Sequence, residues 1–165
     1  MNQLMTKRNL IIAGIVIVLL ALVVIAVFFQ MKSALPVISF DYGAEGLDER
    51  ESEIYPKLFA INWENAPEEQ AKNGEDVLNV GYATVMQEQS SSSILYSGHR
   101  VGFSFDTQPK GVSLSVYDVE GNKIDYQELS EFAFTTPFES GDFLYVLEGV
   151  WEQGTCGYAF WITVQ

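Results

Sequence analysis

The chain carries one cysteine and one histidine, Cys156 and His99, and covalent chemistry would have to begin with them. A thiol attacks as its thiolate, which at neutral pH needs a base or a nearby positive charge, and His99 with its neighbour Arg100 supplies both residue types. Their arrangement argues against the trio. Along a strand, successive side chains alternate faces, so Arg100 points away from whatever His99 faces. No basic residue follows Cys156, and the surrounding negative charge disfavours a thiolate. A single histidine falls short of the two or three nitrogen or sulfur ligands that catalytic zinc takes. The serines at 90–93 lack the Gly-x-Ser-x-Gly turn of a nucleophile elbow and read as a flexible linker. The sequence therefore assigns no catalytic residue, no cofactor and no metal ligand.

Hard cations need only oxygen ligands, and two acidic runs offer them. One comprises Asp41, Glu45, Asp48, Glu49, Glu51 and Glu53; the other Asp118, Glu120, Asn122 and Asp125. Neither follows the EF-hand spacing, and solvated acidic loops account for both. Aromatic residues make up 13% of the chain. Trp63 and Trp151 are expected in a core, whereas Trp161 falls out of phase with Tyr158, Phe160, Ile162 and Val164, so it is expected to face solvent or a membrane-proximal surface.

These residues lie beyond an apolar run, Leu10–Phe29, which has no charged side chain. Twenty residues at about 1.5 Å each match the roughly 30 Å hydrocarbon core of a bilayer. The run is longer than a signal-peptide core, and Lys32 spoils the small-residue cleavage pattern before Ala34. With Lys7 and Arg8 on its amino-terminal flank, the expected layout is a cytoplasmic N-terminus over 1–9, a transmembrane helix over 10–29, a linker over 30–35 and an extracytoplasmic domain over 36–165. The run has neither the Gly-Phe processing site nor the early glutamate of a pilin helix.

All 22 acidic residues fall in the expected domain over 36–165, against six basic ones there (Arg50, Lys57, Lys72, Arg100, Lys110 and Lys123), a formal balance of −16. Such a surface repels phosphate backbones and excludes a nucleic-acid partner. A lone cysteine forms no intramolecular disulfide, so the domain must be held by its core. Asn-x-Ser/Thr is absent too, and both absences suit a bacterial surface protein.

Period-two alternation bounded by turn residues predicts strands at Val37–Tyr42, Leu58–Trp63, Leu78–Met86, Val101–Phe105 with Ser93–Tyr96 leading into it, Val112–Val116, Ile124–Tyr126, Phe143–Trp151 and Tyr158–Val164. Asp118–Asn122 reads as a hairpin turn and Glu152–Gly157 as a loop between the last two strands. Gly43–Ile54 reads as a long acidic loop, and Glu64–Glu75 as a polar connection with at most one helical turn after Pro67. The fold class expected is all-β: an antiparallel β-sandwich of about seven to eight strands preceded by one N-terminal transmembrane helix.

Pro137, Gly141, Tyr145 and Val146, followed by Trp151, Gly154 and Tyr158-Ala159-Phe160, resemble the closing strands of Ig-like modules on Gram-positive membrane-anchored surface proteins. The resemblance covers the C-terminal third and implies an Ig-like sandwich without the paired cysteines of antibody domains. An amino-terminal anchor, a β domain and a Cys-His pair also resemble sortase-like transpeptidases, which place their arginine after the cysteine, where this chain has none. The functional expectation is a single-pass membrane protein whose external module binds or assembles without catalysis. Membrane lipid and an envelope or membrane protein are its expected partners, met through Gly43–Ile54 and Glu152–Gly157. The alternatives are a sortase-like cysteine transpeptidase and a calcium-binding surface domain.

Overall fold

The structure, a computed structural model, describes residues 12–26, 34–41, 53–87, 89, 92–124, 129 and 132–165. It divides into two units, Met1–Ala34 and Leu35–Gln165. In the first, residues 12–26 form helix α1. Among the described residues no helix is long and apolar enough to cross a membrane. This corrects the expected transmembrane helix over 10–29. Residues 12–26 rise only about 22 Å, short of a roughly 30 Å hydrocarbon core, and positions 10, 11 and 27–29 lie outside the described residues.

In the second unit the described strands are β1 (Ile38–Asp41), β2 (Lys57–Ile61), β3 (Ser92–Leu95), β4 (Arg100–Phe105), β5 (Gly111–Tyr117), β6 (Lys123–Ile124), β7 (Ala133–Thr135), β8 (Gly141–Val150) and β9 (Thr155–Val164). They form a three-stranded sheet in the order β1-β4-β7 and a six-stranded sheet in the order β2-β9-β8-β5-β6, with β3 also on β9. Among the described residues the alternating segments of the sequence contain strands where expected, with one exception; Tyr42, Asp125 and Tyr126 of the expected strands lie outside them. Leu78–Met86 is helical: α2 spans Glu68–Val80 and α3 spans Tyr82–Met86.

The reason for that exception lies in which residues are covered. Leu78 and Val80, whose alternation suggested a strand, are 63% and 55% exposed, whereas Val77, Tyr82 and Met86 are buried. Glu68 and Glu69 occupy the first turn of α2, where carboxylates suit the positive end of the helix dipole. Gly81, at φ 82°, ends α2 by donating its N–H to the Val77 carbonyl over 2.8 Å. The polar connection expected over 64–75 is therefore mostly helix.

Two cores result, and they make the fold sandwich-like with a helical third layer. Between the sheets lie Val101, Phe103 and Phe134 against Tyr145, Tyr158 and Phe160, with Trp63 and Trp151 at one end, as expected of those two indoles. The Tyr145 and Phe160 rings stack at 5.7 Å and 10°. On the opposite face of the larger sheet, Phe59, Ile61, Leu144, Val146 and Ala159 meet Val77, Tyr82 and Met86. The all-β, purely antiparallel expectation fails here on two counts. Helices cover this face, and β3 runs parallel to β9, Ser92 against Trp161 through Leu95 against Val164.

Glycine permits the tightest approach between layers. A Cβ on Gly74 would sit 2.0 Å from the Ala60 carbonyl oxygen, so α2 lies directly on the β2 backbone. Helix propensity alone says that Gly74→Ala gains about 1 kcal/mol. The contact predicts the opposite sign, a net loss of about 1–3 kcal/mol in urea unfolding. Gly111→Ala, where no heavy atom lies within 4 Å of the added carbon, is expected to stay within about 0.5 kcal/mol of the parent.

Candidate functional site

His99 and Cys156 stand at opposite ends of β9. The His99 backbone belongs to a corner braced by Thr136: His99 N–H donates to Thr136 Oγ1 at 2.8 Å, and that hydroxyl donates to the Tyr96 carbonyl at 2.6 Å. The same corner holds the far end of β9, with Ser97 N–H donating to the Gln165 carbonyl at 3.0 Å. Cys156 pairs with Ala60 on one side and Gly149 on the other. Nine residues of strand, on the order of 25–30 Å, separate Cys156 from Gln165. Arg100 begins β4 in the other sheet, opposite Thr135. The structure thus does not bring the sequence's one thiol, imidazole and adjacent guanidinium together. Cys156 is fully buried, and burial pushes its thiol up to about 12.

Of the oxygen-ligand candidates, Glu45, Asp48, Glu49, Glu51 and Asp125 lie outside the described residues, and Asp41 and Glu53 inside them. Asp118 closes a turn rather than a cage. Its Oδ1 accepts the Asn122 backbone N–H at 2.7 Å and its Oδ2 accepts the Asn122 side-chain amide at 2.9 Å. Those bonds, the Asn122 side chain first, hold the Asp118 carboxyl below the usual carboxylate range. Among the described residues no group of three or more His, Cys, Asp or Glu is placed to hold a metal ion.

The two loops expected to make contacts fare differently. Residues 43–52 of the first lie outside the described residues. The second is shorter than expected, because β9 already begins at Thr155, and it is braced from the side. Glu64 N–H donates to the Gln153 carbonyl at 3.0 Å, and Gly154, at φ 145°, lies against the Asn62 carbonyl and the Trp63 backbone. This tip forms a packed corner.

A groove is the stronger candidate, and its floor is Trp161. The indole does leave the inter-sheet core, as its phase requires, but what it meets is a second layer. It packs at the margin of the helical core, and its Nε1–H donates to the Met86 carbonyl at 3.1 Å, which fixes the ring. One recess, of about 260 Å³, lies between Gln87 and Gln89 beyond α3, Ser92 of β3 and Asp142 of β8. A second, of about 310 Å³, lies between α3 and the β5–β6 turn, Tyr117–Gly121. Gln87, Val119 and Trp161 line both, so the two adjoin as one groove. The residues that line the groove include Asp118, Glu120 and Asp142, and no lysine or arginine among the described residues. Gln87, Val119 and Trp161 are far apart in sequence, and the out-of-phase Trp161 was the one signal that pointed here.

A larger groove, about 620 Å³, crosses the outer face of the three-stranded sheet, with Asp41 and Arg100 both in its lining. Comparison with known proteins assigns neither groove, since no protein family, curated protein or solved structure matches the chain.

The buried thiol and phenols make the stability of the domain fall in alkali. Burial raises Cys156, and burial first also raises Tyr82, with the Glu148 carboxylate adding to it, and Tyr158. Each group stays protonated in the folded chain while the unfolded chain releases its proton. Its contribution is therefore complete below the unfolded value and is lost as pH rises towards the folded one. Unfolding free energy is expected to be level up to about pH 8 and to fall above about pH 9, by up to about 1.4 kcal/mol per unit for each group. Cys156→Ala should flatten the first part of that fall. Native Cys156 should react with a thiol reagent only as fast as the domain opens.

Proposed function

We propose that this chain is a membrane-associated, extracytoplasmic binding or assembly module without a catalytic centre, and that the Trp161 groove is its recognition surface. The groove carries the reading. It has a fixed aromatic residue, Trp161, acidic residues in its lining and walls from separate elements of a packed framework, the arrangement that lets a rigid scaffold present contact residues. The placement of His99 and Cys156 favours binding over covalent chemistry, since the thiol is a core atom. The likeness of the C-terminal third to Ig-like surface modules suits the same task.

Two further features favour a site at a membrane on the outer side. The large apolar side chains of α1 are between 48% and 66% exposed, a surface that lipid would cover. The second unit is acidic in net balance, which suits an envelope or membrane protein as partner and disfavours nucleic acid.

A photo-crosslinking residue placed at Val119, which is 57% exposed in the groove, tests the reading in cells that make the protein. It is expected to capture a discrete partner, and Trp161→Ala should reduce capture at least about tenfold, as for the central anchor of an interface. The same residue at Glu152, on the braced hairpin corner, should capture little. Equal capture at both positions, or capture at Val119 indifferent to Trp161, would remove the groove from the function.

A further inference from the structure

Building on the groove as recognition surface, we infer that its occupant is a basic protein segment, with a lysine or arginine side chain lying over Trp161. Three acidic residues line the groove from two places, Asp118 and Glu120 in the β5–β6 turn and Asp142 at the start of β8, where Asp142 also accepts the Thr163 hydroxyl. Among the described residues, lysine and arginine are missing from its lining. The groove over the three-stranded sheet differs, since Arg100 and Asp41 share it.

The floor adds a second attraction. An ammonium or guanidinium over an indole face is favoured by the ring quadrupole, most of all where nearby carboxylates share the charge. The ring is held by its hydrogen bond to Met86 before anything binds, so little side-chain freedom is lost on binding. Asp118 stays ionised because Asn122 bonds both of its oxygens. Gln87 and Gln89 in the same groove offer amides to an extended backbone.

The test uses the full chain and synthetic octapeptides rich in lysine or arginine, titrated while the Trp161 indole N–H signal is followed by NMR. The basic peptides are expected to bind one to one and shift that signal. Raising the salt from about 0.05 to 0.5 M should weaken them about tenfold, because the rim charges are solvent-exposed. Trp161→Ala should weaken binding about tenfold. Glu120→Lys, at an exposed turn position remote from both cores, should do so too and keeps the test independent of folding. Peptides with glutamine in place of the basic residues, a neutral oligosaccharide, or spermine binding as tightly as the basic peptides would overturn the inference. So would basic peptides that bind Glu120→Lys unchanged. If the Val119 crosslink is Trp161-dependent but basic peptides fail, the groove keeps its role and only the chemistry of the occupant is wrong; if both fail, both readings fall.

Discussion

Strands β8 and β9 have both faces buried, and the rest of the second unit is arranged around covering them. Leu144 to Leu147 are buried in succession, as are Cys156 to Phe160. A strand exposed on one face needs one apolar partner layer, whereas these two need two. The three-stranded sheet supplies Phe103 and Phe134 on one side, and α2 and α3 supply Val77, Tyr82 and Met86 on the other. Where large rings must lie on the strands themselves, glycine makes room. An added Cβ would meet the Trp151 ring at Gly149 and the Tyr82 ring at Gly157.

The same constraint explains what could be read from the residues alone. Alternating segments such as Val101–Phe105 and Val112–Val116 are strands as expected, because one of their faces looks away from the core. The near-continuous apolar runs of β8 and β9 carried the sign of a second covering layer, since a strand solvated on one side keeps polar residues there. That layer was hard to see. Gly81 splits it into two short helices, and in the first the buried positions are Gly74 and Val77, a stripe too narrow to register as amphipathic. Strand β7, three residues long, is below the length at which alternation can be recognised. The transmembrane reading rested on composition over 10–29, and the helix described over 12–26 is shorter than that composition implied.

Residue types that suggested chemistry turn out to do structural work. Cys156 fills a position between Ala60 and Gly149, the backbone at His99 ties a corner through Thr136, and Asp118 closes a turn on Asn122. The groove was invisible in the sequence for the complementary reason. Its lining comes from the end of a helix, the tip of a hairpin and the middle of a strand, and no local spacing encodes their meeting.

One edge of β9 is divided between two strands of opposite direction. Lys57–Ile61 runs antiparallel beside its first half, and Ser92–Leu95 runs parallel beside its second. Helices α2 and α3 lie between those strands in the chain, so the stretch from Lys57 to Leu95 is stapled at both ends to a partner made much later. A nascent chain cannot complete this layer piecemeal. Loop closure over such separations is entropically costly and comes before that pairing is gained, which makes folding slow and leaves the β9-facing edges of β2 and β3 unpaired until β9 arrives. The time at which this domain becomes safe from aggregation is therefore set by a single strand.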